Sequence, residues 1–358
     1  VKSRILITST SFFDASGKHQ AALAASGVEY VHARGPLRVD ALLSLIKERG
    51  PFDGVLCGED DISAPVIEAL APQLKVISKF GVGIDRIDVA AAGKAGVIVT
   101  NTPGVNHHSV AELTFGLLLS LVRHIPTQNA LVHAGSWKRM IGTELAGKTL
   151  GVIGVGRVGK EVALRAMAFG MQVVGFNSSW PKSQMQFVQE INALYAHPLF
   201  PQPQPRFQHV KDIEQLLEAS DYISLHMNLT RENVAFIDAK KLTRCKPGVV
   251  IVNVSRAALI CSASLVEALR SGHVAGYGTD VLNQEPITEH DPLKGLANVV
   301  ITPHVGSRTV ESVERQGLLA LQNVLQGMQG HTHAPDIGAW PQGAVCALPK
   351  SSKRLESI

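Results

Sequence analysis

Aromatic residues are scarce in this 358-residue chain, at 5%, and basic side chains outnumber acidic ones by only four, 34 against 30. With Lys and Arg dispersed, no basic, aromatic-lined surface for nucleic acid is expected. Cysteine is rarer still. Cys57, Cys245, Cys261 and Cys346 form no C-x-x-C pair and sit in or beside apolar runs, which predicts buried, reduced thiols and a cytoplasmic location. No run of apolar residues is long enough for a bilayer, because the longest, Leu113–Val122, is short and is interrupted by Thr114, Gly116 and Ser120. The first residues, VKSRILITS, carry a strand pattern and not the architecture of a signal peptide. A content of 45% apolar and 18% charged residues excludes a disordered chain, and the length allows two domains of ordinary size.

Glycine, by contrast, is plentiful, with 32 residues. Three of them, Gly154, Gly156 and Gly159, form G-x-G-x-x-G directly after the apolar run Thr149–Ile153. A helical pattern (Val158, Val162, Leu164, Met167) and a second apolar run, Gln172–Phe176, follow. Strand, glycine turn, helix and strand in this order suit a pyrophosphate: one glycine permits the turn, one lets backbone approach phosphate, and one lets helix and strand pack. The helix start adds N–H groups and the positive end of a dipole.

Elsewhere strand and helix patterns alternate. Short apolar runs at residues 5–8, 29–31, 54–57, 76–78 and 98–100 are separated by helical stretches such as Val39–Ile46. This predicts a parallel sheet covered on both faces. A helix over about Ser109–Arg123 is expected to link two α/β domains, and residues 126–147 to connect into the glycine-rich unit. Pro181–His209, with its run HPLFPQPQPRFQH, reads as a surface insertion. Strands at 222–226, 249–253, 276–280 and 299–302 alternate with helices beginning near Asp212, Asp238 and Ser262, and a last amphipathic helix covers about Ser307–Gln326. The tail, residues 331–358, is rich in Pro, Gly, Ser and Lys and is expected to be disordered or loosely attached.

Three polar residues stand where strands end: Arg256 after VVIVNVS, Glu285 after GTDVLNQ and His304 after NVVITP. Any one of them could be an ordinary loop residue. Behind a dinucleotide fold the three together suit hydride transfer to a carbonyl. An arginine can hold a carboxylate and polarise the carbonyl, a histidine can donate the proton, and a carboxylate beside the histidine favours its protonated form.

At this point the chain resembles the D-isomer-specific 2-hydroxyacid dehydrogenase family, and within it the phosphoglycerate dehydrogenases without their C-terminal regulatory domain. The matching stretches are KFGVGIDRIDVAAAGKAGVIVTNTPGVNHHSVAELTFGLLLSLVR (Lys79–Arg123), the glycine motif, VNVSRAALI (Val252–Ile260), GTDVLNQEP (Gly278–Pro286) and TPHVG (Thr302–Gly306). The resemblance implies two Rossmann-like doubly wound domains with a cleft at their junction. Residues 1–101 with 306–330 would form the substrate domain and 102–305 the dinucleotide-binding domain. Arg256, Glu285 and His304 would be the catalytic set. The cofactor would meet Gly154, Gly156, Arg157, Val158, Gly159, Asn177, Val254, Ser255, Asp280, His304 and Gly306. Val82 and Gly83 would bind the substrate carboxylate through backbone N–H groups, with Arg256, and Lys79 stands near enough to meet a phosphate such as that of 3-phosphoglycerate. The implied reaction is a hydride transfer between a nicotinamide cofactor and a D-2-hydroxy or 2-oxo acid, with no metal, in a homodimer that uses the apolar Leu113–Val122 helix. Transcriptional corepressors that sense the dinucleotide share this fold and supply the alternative.

The chain departs from the family pattern in places. Asn177, followed by Ser178 and Ser179, replaces the usual Asp at the end of the second strand, and His-x-Pro-Leu becomes His226-Met227-Asn228-Leu229. Without that carboxylate, discrimination against NADP is relaxed, and NAD stays slightly favoured because no arginine stands in the adjacent loop.

Overall fold

The computed structural model describes residues 3–196 and 206–331 and the backbone of Ala344–Ala347. It divides into two compact units, residues 3–106 with 307–331 and the strand Ala344–Ala347, and residues 107–306.

In the first unit, β1 (Arg4–Ile7), β2 (Glu29–His32), β3 (Gly54–Cys57), β4 (Val76–Lys79) and β5 (Ile98–Asn101) are parallel in the order 2-1-3-4-5. Ala344–Ala347 lies antiparallel along β5, within the tail expected to be loose; residues 332–343 and 348–358 of that tail lie outside the described residues. β3, β4 and β5 are buried along their whole length, the pattern of strands covered on both faces. One cover comes from the far end of the chain. The helix Val310–Met328 sits so close to the sheet that a Cβ on Gly54 would lie 2.6 Å from Val324 Cγ2, and one on Gly327 2.5 Å from Val76 Cγ2. Ser78 donates to the Ala320 carbonyl (2.8 Å) and Asn323 to that of Asn101 (3.1 Å).

The second unit has seven parallel strands: β6 (Thr149–Ile153), β7 (Gln172–Phe176), β8 (Phe207–Val210), β9 (Tyr222–Leu225), β10 (Val249–Asn253), β11 (Val274–Thr279) and β12 (Val299–Ile301). Their order, 8-7-6-9-10-11-12, reverses direction between β6 and β9, where a doubly wound sheet opens its ligand crevice. Asp212 and Asp238 cap their helices by accepting from the backbone N–H groups of Glu214 and Lys241.

Four expectations need correction. The apolar helix, His107–Val122, is not a linker: it packs on β10, β11 and the helix Arg157–Ala168, all within the second unit. Gly278 makes this approach close, since a Cβ there would stand 3.0 Å from Leu117 Cβ. Residues 126–147 are not merely a connection, because Ile125–His133 is helical. Much of the supposed insertion is regular. The helix Lys182–Tyr195 buries Val188, Ile191 and Tyr195 on one face, and Asn192 pairs with both backbone groups of Phe207 (2.8 Å each), tying the helix to β8. The prolines that suggested a loop fall mainly in 197–205, outside the described residues. Last, Cys57 and Cys245 are buried, and burial pushes both thiols up to about 12, but Cys261 is only partly buried and its thiol is lowered by its hydrogen bond with Ser264. The side chain of Cys346 lies outside the described residues.

Candidate active site

The glycine turn is the first part of the site, and each glycine has its own reason. Gly154 has φ +96°, and a Cβ there would come within 2.7 Å of the His226–Met227 peptide. Gly159 leaves room for the Gly154 carbonyl, which would stand 2.1 Å from a Cβ. Gly156 faces open space, so a Cβ there would occupy the approach to the turn and meet nothing of the chain. It precedes the helix Arg157–Ala168, whose first N–H groups, like those of any helix, have no intrahelical partner, and no side chain caps them. A positive-φ glycine, an open glycine and a packing glycine at a helix start match what a dinucleotide pyrophosphate requires. Gly156 and Arg157 are exposed, and Val158 is half-buried.

Asn177, at the end of β7, turns toward this motif. Its Oδ1 accepts from Val155 N (2.7 Å) and its Nδ2 donates to Gln184 Oε1 (2.7 Å).

The second part hangs on the carboxyl ends of β10, β11 and β12. His304 Nδ1 lies 2.8 Å from Glu285 Oε2, and both side chains are partly buried, at 30% and 23% exposed. Glu285 Oε1 accepts from Leu282 N (3.0 Å), which fixes the carboxylate. His304 itself has φ +54°, a conformation that few non-glycine residues adopt and that surrounding contacts must hold. Asp280 provides those contacts. It is 2% exposed and accepts from Thr302 Oγ1 (2.6 Å), Val305 N (2.8 Å) and Gly306 N (2.7 Å), while its carbonyl takes His304 N (3.0 Å). Burial pushes its carboxyl above the ordinary carboxylate value, against the three donors and His304. Asp280 and Gly306, expected at the cofactor, therefore also brace the histidine loop.

Arg256 is partly buried and donates to the Ser255 carbonyl (2.9 Å). Asn253, fully buried at the end of β10, shapes its loop: Oδ1 accepts from Ser255 N (3.0 Å) and Nδ2 donates to the Arg256 carbonyl (2.9 Å). The Asn253 carbonyl accepts from Asp280 N (3.1 Å) and Thr279 Oγ1 (3.2 Å). Asn253 thus joins the Arg256 loop to the residue that holds the His304 loop. Sequence reasoning passed over it, although Asn closing an apolar strand is a known turn former. Ser255 anchors the same loop to β9 through the Leu225 carbonyl (2.7 Å), and Val254 is partly buried beside it.

In the first unit, the loop after β4 carries Val82 and Gly83. Thr102 Oγ1 accepts from Gly81 N (2.9 Å) and Asn101 Nδ2 donates to the Val82 carbonyl (2.8 Å). The N–H groups of Val82 and Gly83 meet no acceptor among the described residues. Lys79 requires a correction. It is 2% exposed, its ammonium held by the Gly58 carbonyl and the Glu59 carboxylate. A lysine buried and neutralised in this way is neither solvated nor offered to a substrate phosphate.

Residues 115–306 match the family model for the NAD-binding domain of D-isomer specific 2-hydroxyacid dehydrogenases. A glyoxylate reductase of Thermococcus litoralis is 36% identical over 301 residues, covering 82% of this chain and 81% of its own. The chain belongs to the D-isomer-specific 2-hydroxyacid dehydrogenase family. It is an oxidoreductase that moves a hydride between a nicotinamide cofactor and a D-2-hydroxy or 2-oxo acid. A D-3-phosphoglycerate dehydrogenase of Mycobacterium tuberculosis is 38% identical over 306 residues, 85% of this chain but 53% of that one. Among solved structures, the TT0316 protein of Thermus thermophilus has a TM-score of 0.76 at 36% identity, covering 92% of this chain and 97% of its own.

His226, next to the glycine turn, offers a pH test. Its Nε2 pairs with Ser224 Oγ (2.8 Å), and its shielded Nδ1 meets no partner among the described residues. Burial pushes the imidazole down to about 3. In the unfolded chain it titrates near 6.5, so the unfolded state binds an extra proton between the two values, and the native state loses stability as pH falls below about 6.5. The loss should reach about 2 kcal/mol by about pH 5. Urea unfolding at about pH 7 and pH 5 checks this; a His226→Gln protein should show a smaller difference between the two, and an equal difference would contradict it.

Proposed function

We propose that Arg256, Glu285 and His304 carry the reaction, and that the substrate is a short 2-oxo acid without a phosphate, reduced to its D-2-hydroxy acid. The observation that carries the catalytic assignment is the His304–Glu285 pair at 2.8 Å on a loop held in a strained conformation. A bound nicotinamide supplies the hydride. The chain's own groups do the rest. Arg256 binds the substrate carboxylate and polarises the carbonyl, with a planar fork suited to both. Because Nδ1 faces Glu285, His304 delivers its proton from Nε2. The carboxylate stabilises the imidazolium that must be present when reduction begins.

Two observations support the small substrate. Lys79 is committed to Glu59, and relatives covered over about four fifths of both chains are named glyoxylate reductases. The corepressor alternative is not favoured, since the relatives are named as reductases and dehydrogenases. Free thiols at Cys57, Cys245 and Cys261 suit the proposed cytoplasmic location. No helix among the described residues is long and apolar enough to cross a membrane.

A homodimer is also proposed, on a different surface from the one expected. Leu117, Leu118 and Leu121 of the His107–Val122 helix are buried within the second unit, but Ile125, Val132, Trp137 and Ile141 are 51%, 50%, 80% and 95% exposed. Four large apolar side chains exposed within seventeen residues are what a second copy would cover. Sedimentation should show a dimer that Trp137→Glu with Ile141→Glu converts to monomer; a monomeric parent protein would refute it.

The substrate reading is tested by reduction of glyoxylate and hydroxypyruvate and by oxidation of 3-phosphoglycerate. The first two should be turned over and the last poorly. Arg256→Lys keeps the charge but loses the fork, and should lower turnover about ten- to a hundred-fold, equivalent to roughly 1.5–3 kcal/mol, with cofactor affinity retained.

For reduction, the rate should fall as pH rises and His304 loses its proton. Glu285→Gln removes the charge that favours the imidazolium, so this alkaline limb should move to lower pH. A well-folded Glu285→Gln enzyme with an unmoved limb would show that Glu285 only braces its loop.

A further inference from the structure

We propose that His107, His108 and Glu161 form a site for one divalent transition-metal ion, best suited to zinc, that clasps two helices of the second unit together. The apolar helix His107–Val122 begins with the two histidines, and Glu161 stands in the second turn of the helix Arg157–Ala168, which packs against it. One ligand atom from each residue lies within 4.8 Å of the other two. Ligands on a tetrahedral zinc ion, with bonds of about 2.0–2.1 Å, stand about 3.3 Å apart, so side-chain movements of about 1–2 Å bring this set onto one ion. His108 Nδ1 and Glu161 Oε2 are already 3.1 Å apart. Two imidazole nitrogens and a carboxylate oxygen suit zinc and its neighbours, and not magnesium or calcium, which take oxygen ligands.

An ordinary surface ion pair would account for His108 and Glu161, with Arg165 Nη1 on the same Glu161 oxygen at 2.5 Å. It does not account for the placing of His107. Consecutive helical residues point about 100° apart and do not face each other, yet the two histidine rings lie 4.1 Å apart, centre to centre, at an angle of 40°. Two protonated rings at that distance repel, whereas two neutral rings can turn nitrogens toward one cation. Burial raises the Glu161 carboxyl, but Arg165 and His108 outweigh it and hold the group below its ordinary value, so the carboxylate is ionised at neutral pH. When the ion claims the Glu161 oxygen, Arg165 keeps a second acceptor, since its Nη2 lies 3.5 Å from Glu112 Oε1. His108 is half exposed, which leaves an entry path from solvent, and water completes the coordination. None of the three ligands belongs to the proposed catalytic set, so the ion acts on the helices and not on the hydride.

The test is calorimetry of the full chain, freed of metal with EDTA and dialysed, against zinc chloride and against magnesium chloride, at a pH about one unit above the ordinary histidine value. The parent protein should bind one zinc ion with a micromolar dissociation constant and no magnesium. His107→Gln and His108→Gln should each weaken zinc at least about tenfold, or about 1.4 kcal/mol. His107→Gln is the decisive variant, because the contact between His108 and Glu161 survives it. Saturating zinc should raise the melting temperature of the parent and leave that of His107→Gln in place, while equal melting temperatures without zinc show that the variant is folded. Cobalt(II) in place of zinc should give the visible absorption of a tetrahedral ion in the parent and lose it in both variants. A parent protein that binds no zinc, or a His107→Gln protein that binds it as tightly as the parent, overturns the proposal and leaves His108 and Glu161 as an ion pair.

Discussion

One buried carboxylate holds the proposed catalytic loop in shape. Asp280 is removed from water at the end of β11 and gathers the Thr302 hydroxyl and the Val305 and Gly306 N–H groups. A carboxylate so placed is costly unless donors surround it, and the donors it finds are those of the turn that forces His304 to positive φ. The cost of burial and the cost of the strained backbone are offset by the same three bonds. Glu285 can then meet a histidine whose position is already determined. The first unit uses a similar device: Asp60, 1% exposed, accepts from Thr8 Oγ1 (2.5 Å), Leu37 N (2.7 Å) and Gly58 N (2.8 Å) where β1 and β3 end.

Asn253 extends the constraint sideways. Its side chain shapes the Arg256 loop and its carbonyl receives Asp280 N, so the arginine and histidine loops share a neighbour on adjacent strands. Such a residue contributes no charge, and it acts by limiting where charged groups can go. Proposed catalysis by this set depends on preorganisation of that kind, since misplacing a guanidinium or imidazole by about 1 Å can cost about a hundredfold in rate.

Much of this was legible in sequence because the signals were local. The glycine spacing named its three jobs, and β10 ended at Asn253 as the apolar run VVIVN suggested. The failures were of two kinds. Where one composition signal dominated, it hid a weaker period: prolines drew attention from Val188, Ile191 and Tyr195, which share a helical face. Where the outcome depended on a distant partner, no local pattern could reveal it. Lys79 looked like a phosphate-binding cation, and only the fold brings Gly58 and Glu59 against its ammonium. The apolarity of His107–Val122 looked like a dimer surface until Gly276 and Gly278 provided a bed for Leu117 and Leu121.

The strand order separates two tasks that the chain must perform. β7 and β8, which carry Asn177 and lie against the helix of Gln184, stand on one side of β6; β10, β11 and β12, which present Arg256, Glu285 and His304, stand beyond β9 on the other. From β7 to β10 is three strand spacings, about 14 Å. Side chains that far apart with no protein partner in common contribute nearly independently to stability. The edge proposed to meet the cofactor can therefore change its residues, or accept a proline-rich run before β8, without disturbing the loops that the buried Asp280 and Asn253 hold. The glycine turn sits between the two halves at the reversal point and cannot change so freely, because it packs against His226 on one side and carries Asn177 on the other. Departures from the family pattern at Asn177 alongside an intact Arg256, Glu285 and His304 set follow from that division.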